Sequence, residues 1–79
     1  MKKLTNTIRE CRKERAINQE ELAEAVGIPR ETIGRLERGM YQNPSYRMVY
    51  RISAYFERSV EDVFRFSETE EAEAAEGSE

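Results

Sequence analysis

Arg30, Glu31, Gly34, Arg35 and Arg38 are spaced so that, on a helix turning about 100° per residue, they share one arc of about 140°. Ile33, Leu36 and Met40 take the opposite arc. Such a face can read the edges of bases. An arginine can donate two hydrogen bonds to O6 and N7 of guanine, and a glutamate can accept one from N4 of cytosine. The major groove of a DNA duplex is about 12 Å wide and admits one helix. Arg30 and Glu31, on the first turn, are best placed, because a helix in the groove leads with its N-terminal residues. Gly34 inside that helix costs roughly 1 kcal/mol against alanine, and close approach to a duplex is one compensation. Taken alone, the face reads equally well as a solvated one.

The segment that must position this face decides between the two. Asn18 is a good N-cap, and Glu21 three residues later completes the pattern of a capping box. Glu20 and Glu21 place acid in the first turn, where the helix dipole favours it. Leu22, Ala23 and Val26 form a buried face, and Gly27 ends a short helix in the way glycine does when a left-handed residue is needed. A third helix runs from Pro29 to Arg38 and stops at Gly39; proline is tolerated in a first turn. Two short helices joined at a glycine have the spacing of a helix-turn-helix, here residues 19–38. Ala23 is small where the helices cross, and Leu22, Val26, Ile28, Ile33 and Leu36 supply apolar contacts in register.

The remaining elements are a support. Leu4, Ile8 and Cys11 form one stripe of a first helix, roughly Thr5 to Arg15, capped by Thr5 or Asn6. A fourth helix starts at the turn Asn43-Pro44-Ser45 and runs to about Phe56, with Tyr46, Val49, Ile52 and Phe56 on one side. A short fifth helix begins at Ser59, and Val60, Val63 and Phe64 close the core. No run alternates as a convincing strand does, with Val63 to Phe66 a weak candidate. The expected fold is all-α: a compact five-helix domain over residues 1–66 with an acidic tail, 67–79.

Composition narrows the chemistry. The 79 residues make one domain, which buries only about 60% of its unfolded surface. The net charge of −3 hides a division. Residues 1–66 hold all 13 bases against 10 acids, a net +3, while residues 67–79 hold six glutamates and no base. The tail lacks large apolar residues and is expected to be disordered. There is no histidine, and the single cysteine, Cys11, reads as a core residue. Neither a disulfide nor a zinc site is expected, and no nucleophile–base pair stands out for an enzyme. No cofactor or small-molecule ligand is evident. No run approaches the roughly 18 apolar residues of a membrane span, and the basic start, Met1-Lys2-Lys3-Leu4, leads into no signal region. A cytoplasmic, nucleoid-associated protein is expected.

The stretches Asn18–Gly27 and Arg30–Gly39 resemble the two halves of the helix-turn-helix in the Cro and phage-repressor (Xre-like) family. Asn43-Pro44-Ser45 and Ser59–Phe64 are similar to stand-alone regulators of that family, so the likeness covers about residues 4–64. It implies a lambda-repressor-like five-helix domain that acts as a homodimer on a two-fold symmetric operator in double-stranded DNA. It further implies that Arg30, Glu31, Gly34 and Arg35 face bases and that Gln19, with Asn18, touches the phosphate backbone; Thr32 and Arg38 are assigned to the backbone as well. Arg12 and Glu37 match a partly buried ion pair between the first and third helices. Glu57 and Arg58, and the tyrosines Tyr46, Tyr50 and Tyr55, depart from the family pattern. A dimer is expected to be made by the domain itself or its C-terminal extension. The alternative function is an antitoxin-like protein-interaction module. The tail reads as a solubilising appendage, against wrapping a basic partner or competing with DNA.

Overall fold

The apolar stripe that starts at Leu4 is divided between two kinds of element. In the computed structural model, which describes residues 2–68, Leu4 lies on a strand, β1 (Lys2–Asn6), and only Ile8 and Cys11 lie on the first helix, α1 (Ile8–Arg15). Four helices follow: α2 (Gln19–Val26), α3 (Arg30–Glu37), α4 (Tyr46–Tyr55) and α5 (Val60–Val63). The last element, β2 (Phe64–Glu68), pairs antiparallel with β1, from Lys2 opposite Glu68 to Asn6 opposite Phe64. The five helices stand as read. Helices alone do not describe the domain, because a two-stranded sheet joins its first and last segments. The weak strand candidate at Val63 to Phe66 is a strand from Phe64 on, Val63 being the last residue of α5, and it runs past residue 66 to Glu68. The rest of the acidic tail lies outside the described residues.

The local chemistry of each boundary is visible. Asn18 Oδ1 accepts from the Glu21 N–H at 2.7 Å while Glu21 Oε1 accepts from the Asn18 N–H at 2.8 Å, so the capping box is complete. Gly27 takes φ 72°, and its N–H and that of Ile28 both bond the Ala23 carbonyl. Pro29 caps α3 from outside the helix, its carbonyl accepting from Thr32 and Ile33. Ser45 and Ser59 each accept, through Oγ, the N–H three residues on, at 3.1 Å. The N-cap of α1 is Thr7, which makes no side-chain cap bond; neither Thr5 nor Asn6 takes that place. What Asn6 does, at the end of β1, is bridge elements. Its Oδ1 accepts from the Ile8 N–H and its Nδ2 donates to the Leu36 carbonyl at 2.7 Å, fixing β1 to the end of α3.

One core serves all five helices. Ile8, Leu22, Ile33 and Ile52 are fully enclosed, and Leu36, Val63 and Cys11 nearly so. Each such side chain contributes about 1.5–3 kcal/mol by leaving water. Two expected members are absent. Met40 is 64% exposed, because the chain turns at Gly39 (φ 75°) and leaves the helix before reaching it. Tyr46 is 71% exposed, since it starts α4 a turn before the buried Val49. Glu57 ends α4 at φ 57°, a conformation that favours glycine, and Arg58 beside it meets Glu14 in an exposed ion pair of little energetic weight.

Candidate nucleic-acid interface

The third helix is held from below and from behind. Ile33 and Leu36 fix its underside, 0% and 1% exposed. Behind it, Arg12 of α1 grips Glu37 with two bonds, Nε to Oε2 at 2.6 Å and Nη2 to Oε1 at 3.1 Å. The third nitrogen, Nη1, donates to the Ile17 carbonyl in the turn before α2. Gln19, the first residue of α2, adds a bond from Nε2 to Glu37 Oε1 at 3.1 Å. One carboxylate therefore ties α1, α2 and α3 together. The hydrogen bond to Glu37 holds the Arg12 guanidinium's pKa above its ordinary value, against the opposing effect of burial.

The outer face of α3 carries a shallow groove of about 320 Å³, lined by Gln19, Arg30, Glu31, Gly34, Arg35 and Arg38. The four residues assigned to bases thus meet in one place, with Gln19 and Arg38 at their side. Arg30, Glu31, Arg35 and Arg38 are exposed. Asn18 and Thr32 lie outside the groove: the Asn18 carbonyl oxygen is engaged in its cap, and Thr32 is half-buried. Gly34 is buried, covered by its neighbours. A methyl group there would lie 3.4 Å from Arg38 Nη1 and 3.6 Å from Gln19 Oε1, both at the ends of long side chains. Gly34→Ala is therefore expected to stabilise the free protein by up to about 1 kcal/mol through helix propensity alone. Thermal unfolding checks this. A lower Tm would mean that the Gln19–Glu37 bond cannot tolerate the small shift.

Three supporting residues escape a reading of local spacing. Arg51 of α4 donates from Nη1 to the Val26 carbonyl at 3.3 Å, supplying the cation that the last turn of α2 lacks. Gln42 donates to the carbonyls of Leu4 and Gly39 and accepts from the Leu4 N–H, locking β1 to the loop after α3. The Lys3 side chain would meet a β-carbon on Gly39 at 3.6 Å, so it extends the basic strip beyond the end of α3. All three reach across 25 residues or more of sequence (Arg51 to Val26, Gln42 to Leu4, Lys3 to Gly39) and leave no periodic trace. Among the described residues, no helix is long and apolar enough to cross a membrane, and no acidic, Cys or His cluster could hold a metal ion.

Comparison with known proteins points the same way as this geometry. A family model described as helix-turn-helix matches residues 8–63. An HTH-type transcriptional regulator of Archaeoglobus fulgidus is 49% identical over 63 residues, covering 80% of this chain and 89% of the relative. Another from Methanothermobacter thermautotrophicus is 48% identical over 62 residues, covering 77% and 88%. Among solved structures, a chain of the SinR protein/SinI protein complex superposes with a TM-score of 0.64 at 33% identity. That match covers 68% of this chain and about half, 52%, of the solved one.

Proposed function

We propose that this chain, which belongs to the helix-turn-helix family of DNA-binding transcriptional regulators of the Cro and phage-repressor type, is a repressor that binds a palindromic operator as a homodimer. It acts in the cytoplasm at the nucleoid. The observation that carries this reading is the groove on α3, where three arginines and one glutamate converge on a helix anchored by Ile33 and Leu36. Arg30, Glu31 and Arg35 reach base edges, above Gly34, which lies beneath the Gln19 and Arg38 side chains at the floor of the groove. Gln19, Asn18, Thr32 and Arg38 hold the sugar-phosphate backbone, with the N-terminal end of α2 directed at a phosphate. Such contacts release counterions, so affinity falls as salt rises.

A second reading keeps the fold and changes the partner. The solved relative belongs to a complex of two proteins, SinR and SinI. An antitoxin-like module of this family would use the same domain to engage a protein. The discriminating experiment is selection of bound sequences from a random duplex pool, with Arg30→Ala beside the wild type. An enriched inverted repeat is expected. The variant is expected to lose about 1–3 kcal/mol at each half-site and to relax preference at one base position. Absence of enrichment at low salt would overturn the reader and leave the protein-partner reading standing.

A further inference from the structure

Strand β2 delivers the chain to the edge of the arginine face. Glu68 stands opposite Lys2, and Lys3 follows Lys2 on β1. The Lys3 side chain passes within 3.6 Å of where a β-carbon on Gly39 would stand, at the end of α3. Arg38, the residue before Gly39, already lines the groove. Residues 69–79 follow Glu68, with five glutamates among them, no base and no apolar residue larger than alanine. By composition alone they read as a solubilising appendage; the place where β2 ends gives them a neighbour. The groove gathers Arg30, Arg35 and Arg38 beside a single acid, Glu31. Among the described residues, none of these three arginines meets a carboxylate. Arginines elsewhere are engaged: Arg12 by Glu37, Arg58 by Glu14, Arg51 and Arg65 by backbone carbonyls.

We propose that residues 69–79 turn back over the groove on α3 and hold it against DNA, so that the chain carries its own competitive inhibitor. The proposal rests on the DNA-reading function proposed above and names its regulation. Reach permits the contact. A segment of this length extends at most about 36–40 Å, and as a coil spans on the order of 18 Å. The eight residues of α3 are about 12 Å long. Charge selects the groove. Five carboxylates meet three arginines and one glutamate, with Lys2 and Lys3 on the path between. The larger cleft between the sheet, α4 and α5 is lined by Leu4, Pro44, Val49 and Phe64, and glutamates would lose water there for no partner. Tethering makes a weak contact count. At an effective concentration of about 1 mM, a contact of ~0.1 mM fills the groove about nine-tenths of the time. Apparent affinity for DNA then falls about tenfold, because only the open fraction can bind. Salt loosens the tail and the duplex together, so affinity falls less steeply with salt than the phosphate contacts alone dictate.

The full chain carrying Glu70→Gln, Glu71→Gln, Glu73→Gln, Glu76→Gln and Glu79→Gln together tests this, since it keeps the length of the tail and removes its charge. Two quantities are read: the arginine Nε–H resonances of the DNA-free protein, and affinity for a duplex of random sequence as salt is raised. The resonances of Arg30, Arg35 and Arg38 are expected to differ between the two chains while that of Arg51 does not. The variant is expected to bind about tenfold tighter at ~0.05 M salt, the gap closing by ~0.5 M as the charges are screened. A tail that only repels DNA from a distance would raise the affinity of the variant and leave all the resonances in place, and that result overturns the proposal. Equal affinities at low salt overturn it too. If neither chain binds any duplex at low salt and the three resonances still differ, the tail does occupy the groove, and it is the DNA-reading proposal that fails.

Discussion

Replacing Arg12 by alanine is expected to cost about 3–5 kcal/mol, most of what holds a domain of this size together. The cause is what the substitution leaves behind. Glu37, whose side chain is 6% exposed, would keep one hydrogen bond from Gln19 and lose both to the guanidinium. The Ile17 carbonyl would lose its donor as well. Breaking a buried pair from one side strands a charge, whereas removing both partners does not. Arg12→Met with Glu37→Leu should therefore recover most of the loss. Urea unfolding of the two single variants and the double resolves the question. A loss below about 1 kcal/mol for Arg12→Ala would make the pair no more than a solvated surface bridge. The sign of the pH dependence follows from the raised Arg12 pKa. Its stabilisation is fully present below the unfolded-state value and is lost only as pH rises through the folded one, in strong alkali.

Ile33→Ala is expected to be nearly as severe, about 2–5 kcal/mol, with Ile33→Val costing about 0.5–1.5. Ile33 is wholly enclosed beneath the residues proposed to read bases. Truncating it opens a cavity under α3 without touching Arg30 or Arg35. Denaturant unfolding should follow the volume removed, while DNA affinity should fall only in proportion to the unfolded fraction. If affinity at low temperature, where the variant is still folded, falls by more than that proportion, Ile33 sets the angle of α3 as well as its stability.

The helix-turn-helix is the most legible part of the sequence. Asn18, Ala23, Gly27, Ile33 and Leu36 act over short spans, through caps and helical periodicity, and their types follow from those local demands. The meeting of Arg30, Glu31, Gly34 and Arg35 in one groove is legible for the same reason, since one short helix carries all four. The sheet is not. Lys2–Asn6 buries a single residue, Leu4, so it has no alternation to detect, and its partner lies about 60 residues away. Leu4 falls four residues before Ile8 and so mimics one more helical turn. Met40 and Tyr46 mislead in the opposite way, because they continue a stripe just beyond the point where the helix supporting it ends or begins. Arg51 and Gln42 are illegible in kind. Their partners are backbone carbonyls and an amide, and a backbone group carries no signature in a sequence.

The pairing of Lys2 with Glu68 has a consequence in time. Helices close their contacts within a few residues, but this pairing must bridge nearly the whole domain and bear the entropy of that closure before any bond rewards it. During synthesis the N-terminal segment emerges first and has no partner strand until residues 64–68 leave the ribosome. A nascent chain can therefore complete α2 and α3 while its sheet is still open. Closing the sheet waits until residues 64–68 have been made, whatever the helices between have already done.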